Sequence, residues 1–391
     1  MASAVLSKSL FACRVRQCVS SCSSSSVFQK SNLFSSVFAK RLFNSWPISS
    51  HLAYKIPRFV SCSMYSTAVE SQDSFSVQSL PTNEPVVSVD WLHANLREPD
   101  VKVLDASWYM PDEKRNPLQE YQVAHIPGAL FFDVDGIADR TTNLPHMLPS
   151  EEAFAAAVSA LGIENKDGLV VYDGKGIFSA ARVWWMFRVF GHDKIWVLDG
   201  GLPSWRASGF DVESSASSDA ILKASAASEA IEKVYQGQRN FELQWTKAIE
   251  SCKIQKNIEE QTHQHVDARS KARFDGVAPE PRKGIRSGHV PGSKCVPFSQ
   301  KSLRRDMNKK FACCLGFMTS FWRHLSFEAT NFSFAGISLD SPIVLSCGTG
   351  VTACILAMGL HRLGKTDVPV YDGSWTEWGT NPDTPVVSSQ E

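Results

Sequence analysis

The chain is written twice. Val103-Leu-Asp-Ala106 recurs as His265-Val-Asp-Ala268, and His125-Ile-Pro-Gly128 recurs as His289-Val-Pro-Gly292. Val170-Val-Tyr-Asp-Gly174 corresponds to Val344-Leu-Ser-Cys-Gly348, and Asp199-Gly200 with Trp205 corresponds to Asp372-Gly373 with Trp378. Four markers in one order and at similar spacings identify a duplicated unit, which restricts the architecture more than any single motif does. One copy spans residues 86–210 and the other 241–385, and the serine-containing, charged stretch 211–240 reads as the linker between them. A chain of 391 residues is long enough for two such cores and more besides.

Each copy alternates short apolar runs with helical stretches. Val101–Leu104, Leu169–Tyr172 and Ile195–Leu198 have the look of buried parallel strands, and Ser179–Phe190 is predicted helical. In the second copy Ile343–Ser346 is the matching strand and Ala353–Leu363 the matching helix. The fold class expected is therefore α/β, with two domains, each a mainly parallel sheet flanked by helices. In such sheets chemistry gathers beyond the carboxyl ends of the strands, which points to the turns at Asp173 and Cys347.

Cys347 directly follows a predicted strand and opens Gly348-Thr-Gly350, a tight loop into a helix. Glycines let successive backbone N–H groups turn inward around one point, and a helix N-terminus adds positive potential there. Such a place favours the thiolate, which is the nucleophilic form. The twin turn, Asp173-Gly-Lys-Gly176, keeps the glycines and lacks the thiol. One active and one silent copy is the pattern this implies.

Charge narrows the possible partners. Residues 1–69 hold eight basic side chains and no acidic one, which leaves 32 basic against 40 acidic, a net of −8, over the rest. A body that acidic is unsuited to nucleic acid, and no apolar run approaches the ~18–20 residues needed to span a membrane. Residues 1–65 are serine-rich with scattered arginine, the composition of an organelle transit peptide, although a disordered tail has the same look. Arg14, Arg16, Arg41 and Arg58 favour the mitochondrion, while Ser23–Ser26 keeps the chloroplast open. Of ten cysteines, four (Cys13, Cys18, Cys22 and Cys62) fall near or within this leader. The other six show neither a zinc spacing nor a disulfide framework, so no metal is expected.

Asp105-Ala-Ser-Trp-Tyr109, His125-Ile-Pro-Gly-Ala129, Ser179-Ala-Ala-Arg-Val-Trp-Trp-Met-Phe-Arg188 and Asp199-Gly-Gly201 are recognisable together with Pro279-Glu-Pro-Arg282, Cys347-Gly-Thr-Gly-Val-Thr352 and Tyr371-Asp-Gly-Ser-Trp375. On these motifs the chain resembles the tandem-domain rhodanese family, and within it the plant thiosulfate/3-mercaptopyruvate sulfurtransferases. The resemblance implies that Cys347 takes sulfur from 3-mercaptopyruvate, and less well from thiosulfate, as a persulfide. Cyanide, a small thiol or thioredoxin then collects it, and pyruvate is released. No cofactor is implied, and a monomer is expected.

Thiosulfate-preferring relatives place basic residues straight after the cysteine, whereas Gly348 and Thr349 are neutral here. Arg273 and Arg282 match the positions that grip the mercaptopyruvate carboxylate. By the same resemblance Thr349 is a hydroxyl for proton relay, and the backbone of Gly348, Gly350, Val351 and Thr352 faces the donor. His125 is a further donor-side residue, though its turn has an equally structural reading, as at His289. Arg182 and Arg188 read as interface or surface residues, and Cys354 as core.

Two other readings stand beside this one. Phosphatases of the same fold carry an arginine six residues after the cysteine, but Ala353 holds that position. A non-catalytic rhodanese-like binding module is the alternative of a different class, disfavoured by the intact Cys347 loop. The stretch 299–336 is aromatic-rich without clear periodicity and does not match the family. It raises an inactive isoform as a further possibility.

Overall fold

The computed structural model describes residues 84–214, 218–237, 254–298, 332–333, 335–366 and 368–388. The leader 1–65 and nearly all of the stretch 299–336 lie outside the described residues. The described residues fall in one compact unit.

In the first repeat the strands are β1 (Val86–Val87), β2 (Val101–Asp105), β3 (Leu130–Phe131), β4 (Gly168–Tyr172) and β5 (Ile195–Leu198). They form an all-parallel sheet in the order β1-β5-β4-β2-β3. Helices α1 (Val89–Asn95), α2 (Pro117–Val123), α3 (Glu151–Ala160) and α4 (Ala180–Val189) lie in the crossovers, and α5 (Gly201–Ala207) follows β5. Asn116 and Ser150 cap α2 and α3, each accepting a backbone N–H three residues on.

The expected linker carries helix α6 (Ser218–Tyr235). It is docked: Ala227 and Ile231 are fully buried, and the Tyr235 hydroxyl accepts the Ser150 N–H at 2.9 Å.

The second repeat contains α7 (Ile254–Glu260), β6 (Gln264–Asp267), α8 (Lys271–Phe274), β7 (Lys294–Cys295), β8 (Ile343–Ser346), α9 (Ala353–Arg362) and α10 (Ser374–Thr380). Its sheet runs β7-β6-β8, again parallel, and Val370 bridges Leu345 where β5 pairs in the first repeat. The registers coincide. Asp105 faces Tyr172 and Phe131, and Asp267 faces Ser346 and Cys295.

Alternation along the central strands sorts their side chains between two faces. Leu169 and Val171 of β4 join Ile343 and Leu345 of β8 in one core that runs between the repeats, with α4 and α9 inside it. Val170 and Val344 point the opposite way, into separate cores. Cys347 follows β8 at odd spacing and so falls on the shared, inter-repeat side.

Candidate active site

The Cys347 loop is held from several directions. Cys347 itself is 1% exposed. Its carbonyl accepts the Trp375 N–H at 3.0 Å, and the Gly348 carbonyl accepts the Thr376 N–H at 2.9 Å and the Thr376 hydroxyl at 2.7 Å. The first turn of α10 thus supplies its spare N–H groups to the loop. The Cys347 N–H donates to Ser374 Oγ at 3.1 Å, and that hydroxyl donates to the Tyr371 carbonyl at 2.7 Å. Ser374 sits at φ 49°, a left-handed conformation that costs a serine about 1 kcal/mol. The silent repeat has Gly201 there at φ 54°. The strain in the second repeat secures a hydroxyl that glycine lacks.

The silent loop shows what the fold does with negative charge. Asp173 is buried, and its carboxylate accepts backbone N–H bonds from Lys175 (2.8 Å), Phe178 (2.6 Å) and Ala180 (3.0 Å). Burial pushes its pKa up in spite of these donors. The Asp173 carbonyl accepts the Leu202 N–H at 3.1 Å, as the Cys347 carbonyl accepts that of Trp375. Gly176 and Gly350 both have positive φ. The same loop therefore wraps a carboxylate in one repeat and carries a thiol in the other.

Arg182 comes from α4 of the silent repeat and is completely buried. Its Nη1 lies 2.5 Å from Asp372 Oδ1 and donates to the Gly350 carbonyl at 3.3 Å, while Nη2 donates to the His146 carbonyl. Asp372 Oδ2 accepts the Leu148 N–H at 2.7 Å. A Cβ on Gly350 would meet the Asp372 carbonyl at 2.7 Å and Arg182 Nη1 at 2.9 Å, so this glycine permits a close approach. The interface reading of Arg182 matches its place, and its grip on the loop is new information.

Arg273, from α8, reaches over Gly348. Its Nη2 would lie 3.2 Å from a Cβ there. Its Nε–Nη2 edge is engaged by Glu280, which is itself bonded to Arg269 Nη1 at 2.8 Å. Arg282 is partly buried and electrostatically coupled to Arg273, Cys347 and Asp135; burial lowers its pKa, Arg273 adds to this, and Asp135 opposes it. Thr349 lies on the loop at 7% exposure, beside buried Val351 and partly buried Thr352. Cys354 is fully buried and donates to the Gly350 carbonyl at 3.1 Å, and burial pushes its thiol well up, so it is core as expected.

The contacts of His125 lie within the first repeat and the segment after it. Its ring stacks on Tyr121, Nδ1 is 2.7 Å from the Tyr121 carbonyl, and Nε2 is 3.4 Å from Glu213. Its backbone bridges Glu213 as that of His289 bridges Val387, and His289 Nδ1 likewise meets the Phe274 carbonyl. The two His-x-Pro-Gly turns make matching backbone and ring contacts, which favours the structural of the two readings of His125.

The sequence reading missed His146. It is buried at φ 63°, with Nδ1 2.7 Å from Asp135 Oδ1 and the ring edge-on to Trp108. Its Nε2 is buried with no hydrogen-bond partner among the described residues. Asp135 also accepts the Trp108 indole N–H at 2.9 Å, and these bonds hold its carboxyl low although burial alone would raise it. His146 lies outside the repeated markers, and its pairing with Asp135 is visible only in the fold.

A family model described as "Rhodanese-like domain" matches residues 88–208 and 253–381. The chain is 65% identical over 361 residues to thiosulfate/3-mercaptopyruvate sulfurtransferase 1, mitochondrial, of Arabidopsis thaliana, covering 90% of each chain. Human 3-mercaptopyruvate sulfurtransferase is 39% identical over 303 residues, 75% of this chain and 91% of that one. The crystal structure of SseA from Escherichia coli, described as a 3-mercaptopyruvate sulfotransferase of the rhodanese fold, superposes with a TM-score of 0.59 at 32% identity. That match covers 74% of this chain and 98% of the other. With two matched repeats, a shared parallel-sheet plan and a single cysteine loop between them, the chain belongs to the rhodanese family.

Proposed function

We propose that the protein is a sulfurtransferase that takes sulfur from 3-mercaptopyruvate, and less well from thiosulfate, onto Cys347 and releases pyruvate. The observation that carries this reading is the Cys347 loop itself, whose silent twin wraps a full carboxylate in backbone N–H groups.

In the first step the Cys347 thiolate attacks the donor sulfur. An S–S bond forms, the donor C–S bond breaks, and its electron pair goes to the methylene carbon. That carbon gains a proton and the donor thiol loses one, so the products are pyruvate and a Cys347 persulfide anion. The N–H groups of the loop stabilise this anion. Arg273 and Arg282 hold the donor carboxylate. Moving the proton requires an acid–base group, and Thr349 together with the His146–Asp135 pair is best suited. In the second step an acceptor (cyanide, a small thiol or reduced thioredoxin) attacks the outer sulfur and the thiolate returns.

A mitochondrial destination fits both the basic, serine-rich 1–65 stretch and the name of the Arabidopsis relative. Pyruvate release from mercaptopyruvate with dithiothreitol as acceptor tests the activity. Release by the wild type and none by Cys347→Ser is expected. A wild type that releases none supports instead a binding module of the same fold.

A further inference from the structure

Behind Arg273 runs a ladder of alternating charge that the reaction does not require. Asp267 in β6 accepts from Arg269 Nε and Nη2, the latter at 2.7 Å, and also from the Arg269 N–H at 2.9 Å. Arg269 Nη1 donates to Glu280 Oε1 at 2.8 Å, and Glu280 Oε2 accepts Arg273 Nε at 3.1 Å and Nη2 as well. The side chains of Asp267, Arg269 and Glu280 are 2%, 1% and 2% exposed, and that of Arg273 is 23% exposed. The charges are therefore locked in place inside the protein, except at the last rung, which opens toward Gly348.

The ladder sums to zero. Two carboxylates balance two guanidiniums, and Glu280 neutralises Arg273 from the side away from the donor. Among the described residues Arg273 Nη1 makes no hydrogen bond, and it would lie 4.0 Å from a Cβ on Gly348. The hydrogen-bonding edge toward the donor thus stays open while the field behind it is cancelled. Arg282 adds a second guanidinium beside Arg273; Asp135 and Glu280 act on it electrostatically, and Asp135 is also held by His146 and Trp108. Pro279 and Pro281 on either side of Glu280 restrict its backbone, so the carboxylate cannot easily leave.

We propose that Glu280 is a positioning residue that sets donor specificity: by cancelling the charge of Arg273 it fits the site to a donor with one negative charge and disfavours one with two. 3-Mercaptopyruvate carries a single carboxylate, while thiosulfate is a dianion. The inference rests on the reading of Cys347 as the sulfur carrier.

The test is kcat/KM for both donors, with cyanide as acceptor, on the full chain carrying Glu280→Gln or Glu280→Asp. Glutamine keeps an acceptor for Arg273 and removes the charge. The thiosulfate-to-mercaptopyruvate ratio is expected to rise about tenfold, the worth of one unit charge near a partly solvated site. Glu280→Asp keeps the charge, so it lowers both donors and holds the ratio within about twofold. An unchanged ratio in the glutamine variant, or an aspartate variant that shifts the ratio equally, overturns the proposal. If the glutamine variant does not fold, the aspartate variant decides, since a ratio that moves with the charge retained is fatal. A wild type that makes no pyruvate defeats the functional reading instead, whatever Glu280 does.

Discussion

Arg182 Nη1 of the first repeat lies 2.5 Å from Asp372 Oδ1 of the second, with both side chains buried. The pair joins the two halves at the loop that carries the thiol, because the same nitrogen also bonds the Gly350 carbonyl. The first repeat thus helps to hold the loop of the proposed nucleophile.

Removing one partner of a buried pair strands the other charge. Arg182→Met is expected to destabilise the protein by about 3–5 kcal/mol in urea unfolding. It should also lower kcat for mercaptopyruvate more than it raises KM, since the loop is affected before the arginines that bind the donor. A loss below about 1 kcal/mol, the range of an exposed pair, would show that the contact is dispensable.

In the proposed mechanism Arg273 grips the donor by geometry as well as charge. Arg273→Lys keeps the charge and loses the planar fork that suits a carboxylate. KM for mercaptopyruvate should rise about tenfold while KM for thiosulfate moves about twofold, because a point charge serves the dianion almost as well. Equal changes for the two donors would remove Arg273 from the carboxylate site.

The two histidines of the first repeat should separate cleanly. His146→Gln is expected to lower kcat at least tenfold, within the range of a lost acid–base group. His125→Gln is expected to stay within about threefold at assay temperature, its cost appearing in thermal stability. A reversal of that order would favour the donor-side reading of His125 instead.

His265 in β6 has its Nε2 2.7 Å from Oγ of Ser346, the residue before Cys347, and burial lowers its pKa to about 4. A depressed pKa means that protonation opposes folding. The stability it contributes is complete above its ordinary pKa of 6.5 and is lost as pH falls toward 4. The wild type should lose up to about 3 kcal/mol across that window, and His265→Gln should lose correspondingly less. Parallel stability–pH curves for the two proteins would rule out the histidine as the cause.

Much of this was legible in the residues. The duplication carried the parallel sheets, their shared register and the equivalence of Asp173 with Cys347, because strand-end motifs recur wherever the backbone plan recurs. Other features depend on contacts that no local pattern encodes. Glu280 stands within the recognised Pro279-Glu-Pro-Arg282 motif, yet its partners Arg269 and Arg273 become visible only once α8 is folded. His146 has no counterpart among the repeated markers, so comparing the halves passed over it. Helix α6 is a different case. Ala220, Ala224, Ala227 and Ile231 recur at helical spacing and are all buried. The neighbouring serines 214–218 drew the reading toward a linker although that apolar stripe was present.

The central claim is a covalent sulfur on one named atom, and intact-mass measurement after adding 3-mercaptopyruvate without acceptor reads it directly. The wild type should gain the mass of about one sulfur atom, removable by cyanide or dithiothreitol, and Cys347→Ser should gain none. No mass gain in the wild type, or an equal gain in the serine variant, would contradict the account.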